Sequence, residues 1–196
     1  MIEFKELQVT YPEFTLSFED DAFPKNKVTF VTGRNGVGKT SFLKAIGKLL
    51  PYRGNIRYEG FATYHFQEPI LFNRTVRENA LYPIKIRKLD CADFEDKLKR
   101  YASILHIDHL LDRQAKELSS GEKMKASLLR SILFAPEIVL LDEPTTHLDL
   151  ESIDQLTMLI KTLKPTTTFV IVSHNRAFIE ALSDHVYHIG GKYVHR

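Results

Sequence analysis

A single cysteine, Cys91, excludes an internal disulfide framework, and with nothing resembling a secretory leader at Met1-Ile2-Glu3-Phe4-Lys5 the chain fits a reducing cytosol. No motif surrounds Cys91, which therefore reads as inert rather than as a nucleophile. No apolar run approaches the ~20 residues a membrane-spanning helix needs, so any work at a membrane requires another chain to supply the span. Excess charge is missing too. The 27 basic and 25 acidic residues leave a net +2, which gives no electrostatic argument for nucleic acid or for an anionic membrane surface. Repeats, low-complexity tracts and long linkers are absent. What is present is 196 residues, 43% of them hydrophobic, enough for one sizeable core and short for two.

The most informative stretch is Gly33-Arg34-Asn35-Gly36-Val37-Gly38-Lys39-Thr40, which fits the phosphate-loop pattern G-x-x-x-x-G-K-[ST] at every fixed position. Lys27 to Val31 before it is a β-branched and aromatic run, and Ser41 to Leu50 after it has apolar residues at helical spacing. A triphosphate is approached by backbone N–H groups, and side chains at Gly33, Gly36 or Gly38 would block the turn or the approach. Lys39 is expected to reach the β- and γ-phosphates and Thr40 to place its hydroxyl on Mg²⁺, at a helix N-terminus that favours negative charge.

Taken in order, Ile2 to Tyr11 and Phe14 to Phe18 alternate and suggest an antiparallel pair. Tyr11 there is either a packing aromatic or a platform for a purine ring. Asn55 to Tyr58 and Ala62 to Phe66 read as two more strands, the second running into Gln67. From Thr75 to Glu117 charged helical patterns take over, clearest at 76–80 and 94–102. They read as a helical insertion into an α/β domain or as surface helices covering its sheet. Small polar residues open a helix at Leu118-Ser119-Ser120-Gly121-Glu122-Lys123, which runs to about Phe134 and stops at Ala135-Pro136-Glu137. Ile138 to Leu141 is the continuous apolar run of a doubly buried parallel strand, ending at Asp142-Glu143. Two carboxylates at the carboxyl end of such a strand lie where α/β sheets bind ligands. A helix over Ser152 to Leu163, a buried strand over Thr167 to Val172 stopping at Ser173-His174, a helix over Arg176 to Leu182 and a strand over Asp184 to Ile189 complete the reading.

With these elements in this order, the chain resembles the ATP-binding cassette (ABC) ATPases over essentially its whole length. Tyr11 is similar to the adenine-stacking A-loop aromatic, Gly33 to Thr40 to the Walker A loop, and Gln67 to the Q-loop glutamine. Leu118 to Glu122 resembles the signature, Ile138 to Asp142 Walker B, Thr146-His147-Leu148-Asp149 the D-loop, and His174 the switch histidine. The resemblance implies an α/β P-loop fold with a mostly parallel central sheet, an N-terminal antiparallel β-subdomain and a helical subdomain near 75–134, all in one domain over 1–196. It implies ATP hydrolysis, which is mostly positioning and charge neutralisation. Gly33, Arg34, Asn35, Gly36, Val37, Gly38, Lys39, Thr40 and Ser41 would hold the nucleotide. Thr40, Gln67 and Asp142 would serve Mg²⁺, Glu143 would be general base or water-orienting carboxylate, and Gln67 and His174 would join it around the γ-phosphate. Two cassettes pair head to tail in this family, so Ser119, Ser120, Gly121 and Asp149 of one copy would meet the nucleotide of the other. The signature departs from Leu-Ser-Gly-Gly-Gln at Ser120 and Glu122, which implies a working site of altered rate.

The wording Gln67-Glu68-Pro69-Ile70-Leu71-Phe72 with Thr75-Val76-Arg77-Glu78-Asn79 resembles the transporter-type Q-loop and the groove that receives a permease. The expectation is therefore an ATPase subunit on the cytoplasmic face of a membrane, paired with a second cassette, a homodimer or heterodimer, and driving a separate transmembrane subunit, with no direct nucleic-acid partner. The alternative is a soluble ABC-F-like cassette on the ribosome, whose wording Pro144 to Asp149 and Val172 to Phe178 resemble. A coiled-coil DNA-repair ATPase is excluded because the segment from Thr75 to Glu117 is too short.

Overall fold

Two strands that are buried at every position set the architecture. The computed structural model describes residues 1–134, 136–190 and 192–195, with the backbone alone for Asp93 and for 192–195; Ala135, in the expected helix stop, lies outside the described residues. β7 (Ile138–Asp142) and β8 (Thr168–Val172) pair side by side in a parallel sheet ordered β6 (Ala62–His65), β7, β8, β4 (Val28–Thr32), β9 (His185–His188). Alternation along these strands divides the core. Ile138, Leu140, Val170 and Val172 face α1 (Lys39–Ile46) and a second, antiparallel sheet. Val139, Leu141, Phe169 and Ile171 face the helices α2 (Val76–Ile86), α3 (Glu95–Ile104), α4 (Ser120–Leu133), α5 (Leu150–Leu163) and α6 (Arg176–Leu182).

The antiparallel sheet is built on β1 (Ile2–Thr10), which pairs with β2 (Phe14–Ser17), β3 (Asp21–Phe23) and β5 (Arg53–Arg57), while β10 (Lys192–His195) pairs with β2. An aromatic cluster joins the two sheets: Phe42 of α1 lies 5.1 Å from both Phe4 and Tyr187, ring centre to ring centre. The chain is thus an α/β fold with a parallel sheet, an antiparallel sheet and helices, as the sequence implied. β3 and β10 were not expected.

Helix boundaries follow their caps. The expected start of α5 at Ser152 moves back to Leu150, because Asp149 accepts the Ser152 N–H at 2.8 Å and caps the helix there. The expected helix from Ser41 to Leu50 instead runs from Lys39 to Ile46. It stops because Lys48 takes a left-handed φ of 56°, and the N–H groups of Leu49 and Lys48 close back on the carbonyls of Lys44 and Ala45. α2 and α4 open with capping boxes, Thr75 with Glu78 and Ser119 with Glu122, and Asn175 caps α6. α1 differs: it begins at Gly38 with no side-chain cap and no acidic residue in its first turn.

Candidate functional site

That uncapped start faces a cleft of about 650 Å³ at the carboxyl ends of the parallel strands. No side chain caps this helix start among the described residues, and the positive end of the helix dipole points at the opening. Gly38 takes a φ of 102°, where a side chain would be strained, and a Cβ there would push aside the Leu16 methyl 2.6 Å away. Lys39 folds its ammonium back under the loop and donates to the carbonyls of Gly33 at 3.0 Å and Arg34 at 3.1 Å. It is only 8% exposed, and among the described residues no carboxylate lies within ion-pair distance. A buried cation without an anion at a helix N-terminus is a site for a phosphate chain.

Lys39, Thr40 and Ser41 of α1 line the cleft with Asn35, Gly36 and Gly38 of the preceding loop. Gln67 after β6, Glu143 after β7 and His174 after β8 close it from the other strand ends. Val37, in the same loop, is buried. Asp142, 2% exposed, is held from two sides: Thr40 Oγ1 donates to its Oδ1 at 3.2 Å, and the Tyr64 hydroxyl donates to its Oδ2 at 2.8 Å. Burial and the neighbouring Asp142 charge push the Tyr64 hydroxyl well above its ordinary range, so it stays a donor.

Glu143 leaves β7 in a left-handed conformation, φ 48°, with its N–H on the Val172 carbonyl at 2.9 Å. This turns its carboxylate toward β8. Oε1 lies 3.3 Å from His174 Nε2, and Oε2 accepts the His174 backbone N–H at 3.3 Å. Burial raises the Glu143 carboxyl above the usual carboxylate range; His174 and its N–H, and more distantly Lys39, oppose that, while Asp142 adds to it. A carboxyl of raised basicity beside an imidazole, across the cleft from an ammonium with no carboxylate partner among the described residues, can accept a proton from water or orient it.

The remaining expected residues lie outside this cleft. Tyr11 stacks on Phe14 with centroids 5.0 Å apart and shares a 2.8 Å hydrogen bond with Ser41, which ties it to the start of α1. Ser119, Ser120 and Gly121 form the exposed turn opening α4, where Glu122 Oε2 accepts the Ser119 N–H at 2.8 Å and Ser119 Oγ accepts the Glu122 N–H. These bonds hold the Glu122 carboxyl below its ordinary range. Gly121 lies against the His147 carbonyl, which a Cβ would meet at 3.2 Å, so this turn and the loop ending at Asp149 are neighbours. Tyr64 was missed by sequence reasoning. It lies opposite Leu140 in the β6–β7 register, on the sheet face that carries Asp142, and that register is invisible in the chain.

A cleft of similar size, about 670 Å³, lies at the amino ends of β7 and β8 among Glu3, Lys25, Arg57 and Glu137. It mixes both charges and lies away from the strand ends where such sheets bind ligands.

The family model described as "ABC transporter" matches residues 20–146. The chain belongs to the ABC transporter family. The tungstate uptake system ATP-binding protein TupC of Peptoclostridium acidaminophilum is 30% identical over 182 residues, 87% of this chain and 85% of that protein. The molybdate/tungstate import ATP-binding protein WtpC of Pyrococcus abyssi is 28% identical over 93% of this chain, which spans only 57% of WtpC. Among solved structures, an ATP binding subunit of an ABC transporter superposes with a TM-score of 0.87 at 23% identity, covering 96% of this chain and 85% of that one, a likeness of fold. The RNase-L Inhibitor gives 0.84 at 26% identity over 98% of this chain, which spans 38% of it. This ABC protein is an ATP-binding subunit with ATPase activity, and among its described residues no helix is long and apolar enough to cross a membrane.

Proposed function

We propose that the chain hydrolyses ATP to drive import of a small solute through a separate membrane-spanning permease, acting as one cassette over 1–196 with a helical subdomain at 75–134. The observation that carries the nucleotide chemistry is the unpaired Lys39 ammonium facing the Glu143 and His174 pair across one cleft. Gly33 to Ser41 hold the phosphates, and Tyr11, one residue past β1 and bonded to Ser41, supports the base. Glu143 orients or deprotonates the attacking water, and His174 fixes Glu143 and meets the γ-phosphate.

The donor set fits a divalent cation. A hydroxyl and a buried carboxylate, Thr40 and Asp142, stand 3.2 Å apart with Gln67 on the same cleft, and hard oxygen donors of this kind suit Mg²⁺. Thr40, Gln67 and Asp142 would hold the cation from the protein side, with nucleotide oxygens and water free to supply the remaining ligands. Bound there, Mg²⁺ would neutralise charge on the β- and γ-phosphates.

Ser119, Ser120, Gly121 and Asp149 lie outside the cleft and on the surface, which supports their use by a second copy paired head to tail. On either side of Gln67, the loop presents exposed Phe66, Ile70 and Phe72. Buried Asn79 shapes that loop, accepting the Phe72 N–H at 2.8 Å and donating to the carbonyls of Phe72 and Thr75, while Arg130 of α4 donates to the Ile70 carbonyl at 2.5 Å. An exposed apolar lip on a braced loop suits a helix from the permease, which would hold the subunit on the cytoplasmic face. The relatives import tungstate, molybdate or phosphate, which makes those oxyanions the first cargo to test. The likeness to the archaeal ribosome recycling factor aABCE1, with a TM-score of 0.84 at 26% identity, supports a second reading, a cassette acting on ribosomes.

Affinity purification from membranes separates the two. Recovery of a multi-span protein, lost on Phe72→Asp, supports transport, whereas recovery of ribosomal particles alone overturns it.

A further inference from the structure

Gln155, on the second turn of α5, is only 9% exposed, and its amide is satisfied on every side. Oε1 accepts from Lys125 Nζ of α4 at 2.8 Å. Nε2 donates to Glu151, one turn back, at 3.1 Å and to His106 Nδ1, in the turn after α3, at 2.9 Å. An ammonium can only donate and a carboxylate accepts, so these partners fix which end of the amide is which. One buried side chain thus joins three segments that are distant in sequence.

Two of those segments are the helices that carry the outward-facing loops. α4 opens at the Ser119 turn, with Lys125 one turn beyond Gly121, and α5 is capped by Asp149, with Glu151 in its first turn. At the surface the two loops already touch, Gly121 against the His147 carbonyl. Below that contact, the Lys125 to Gln155 bond is a polar tie between the helices. The cleft's own walls, α1 and the ends of β6, β7 and β8, do not include Gln155.

We propose that Gln155 is a positioning residue for ATP-driven pairing: it locks α4 and α5 in one mutual orientation, so that the Ser119 turn and Asp149 reach the partner's nucleotide together. The inference rests on the head-to-tail pairing proposed above. An apolar side chain at 155 would strand the half-buried Lys125 ammonium without an acceptor, and the helices would shift to hydrate it. Each copy would still grip its own ATP, because that grip is made elsewhere.

The test uses the full chain carrying Glu143→Gln, with dimer formed at saturating Mg-ATP measured by sedimentation and ATP affinity of the single chain measured by fluorescence titration. A parent that stays monomeric overturns the pairing and this inference with it. Given a dimer, Gln155→Leu is expected to weaken it about fivefold or more while ATP affinity stays within about twofold. Gln155→Glu combined with Glu151→Gln, which keeps an acceptor for Lys125 and a donor-acceptor contact between 151 and 155, restores the dimer, and Lys125→Met reproduces the loss without adding to that of Gln155→Leu. An unchanged dimer in Gln155→Leu, an equal loss of ATP affinity, or no recovery in the exchanged pair refutes the role of Gln155 and leaves the pairing standing.

Discussion

Replacing Tyr64 by Phe removes one oxygen and keeps the ring, so what is lost is the bond to Asp142. That bond is 2.8 Å long, its acceptor is charged, and Asp142 is 2% exposed, so water has little room to take the hydroxyl's place. A hydrogen bond to a charged group is worth about 1.5–3 kcal/mol, and Tyr64→Phe leaves the buried Oδ2 without its donor while Thr40 keeps Oδ1. For a chain of this size the loss corresponds to a fall in melting temperature of about 4–10 °C. Urea unfolding of the nucleotide-free protein should show a lower midpoint at an unchanged slope, which marks a change in stability rather than in the unfolded state. Asp142→Asn combined with Tyr64→Phe should lose less than the sum of the two single changes, because they break the same bond. A Tyr64→Phe protein as stable as the parent, or strict additivity, would refute the reasoning.

Phe42→Ala empties the aromatic cluster between the two sheets and should cost about 3–5 kcal/mol by the same unfolding assay. Glu143 is held with a raised carboxyl pKa, so its charged form costs folding free energy as pH rises through that value; Glu143→Gln should therefore be more stable than the parent at pH 7 while turning over little ATP. Glu122 has the opposite sign. Its folded pKa is depressed, so its contribution is present above the unfolded value and is lost as pH falls through the folded one, and Glu122→Gln, which can keep the capping box without titrating, should lose less stability than the parent between pH 5 and pH 3. Equal acid losses in the two proteins would contradict the capping account.

The parts readable in the chain were those whose signal is local. Ile138 to Leu141 announces a doubly covered strand because all its residues are apolar, and Gly33 to Thr40 announces a phosphate loop because backbone geometry restricts each fixed position. What could not be read depends on register or on distant contacts. Tyr64 meets Asp142 only because β6 pairs with β7 at Leu140, and β3 and β10 are strands only because β1 and β2 offer them edges. The end of α1 was misplaced because its left-handed residue is Lys48, while Gly47 keeps helical angles. Asn175, whose capping role depends on where β8 ends, accepts the Phe178 N–H at 3.0 Å and starts the helix after His174. Gln155 gave no signal because two of its three partners, Lys125 and His106, come from segments distant in the chain.

The central claim is that the cleft at the start of α1 holds a nucleotide's phosphates through Lys39, and calorimetric titration of the purified chain with Mg-ATP tests it most directly. The account predicts saturable binding at one site per chain, reduced at least about tenfold by Lys39→Ala, since a buried charged donor contributes about 1.4 kcal/mol or more to such a contact. No measurable affinity in the parent, or equal affinity in Lys39→Ala, would contradict it.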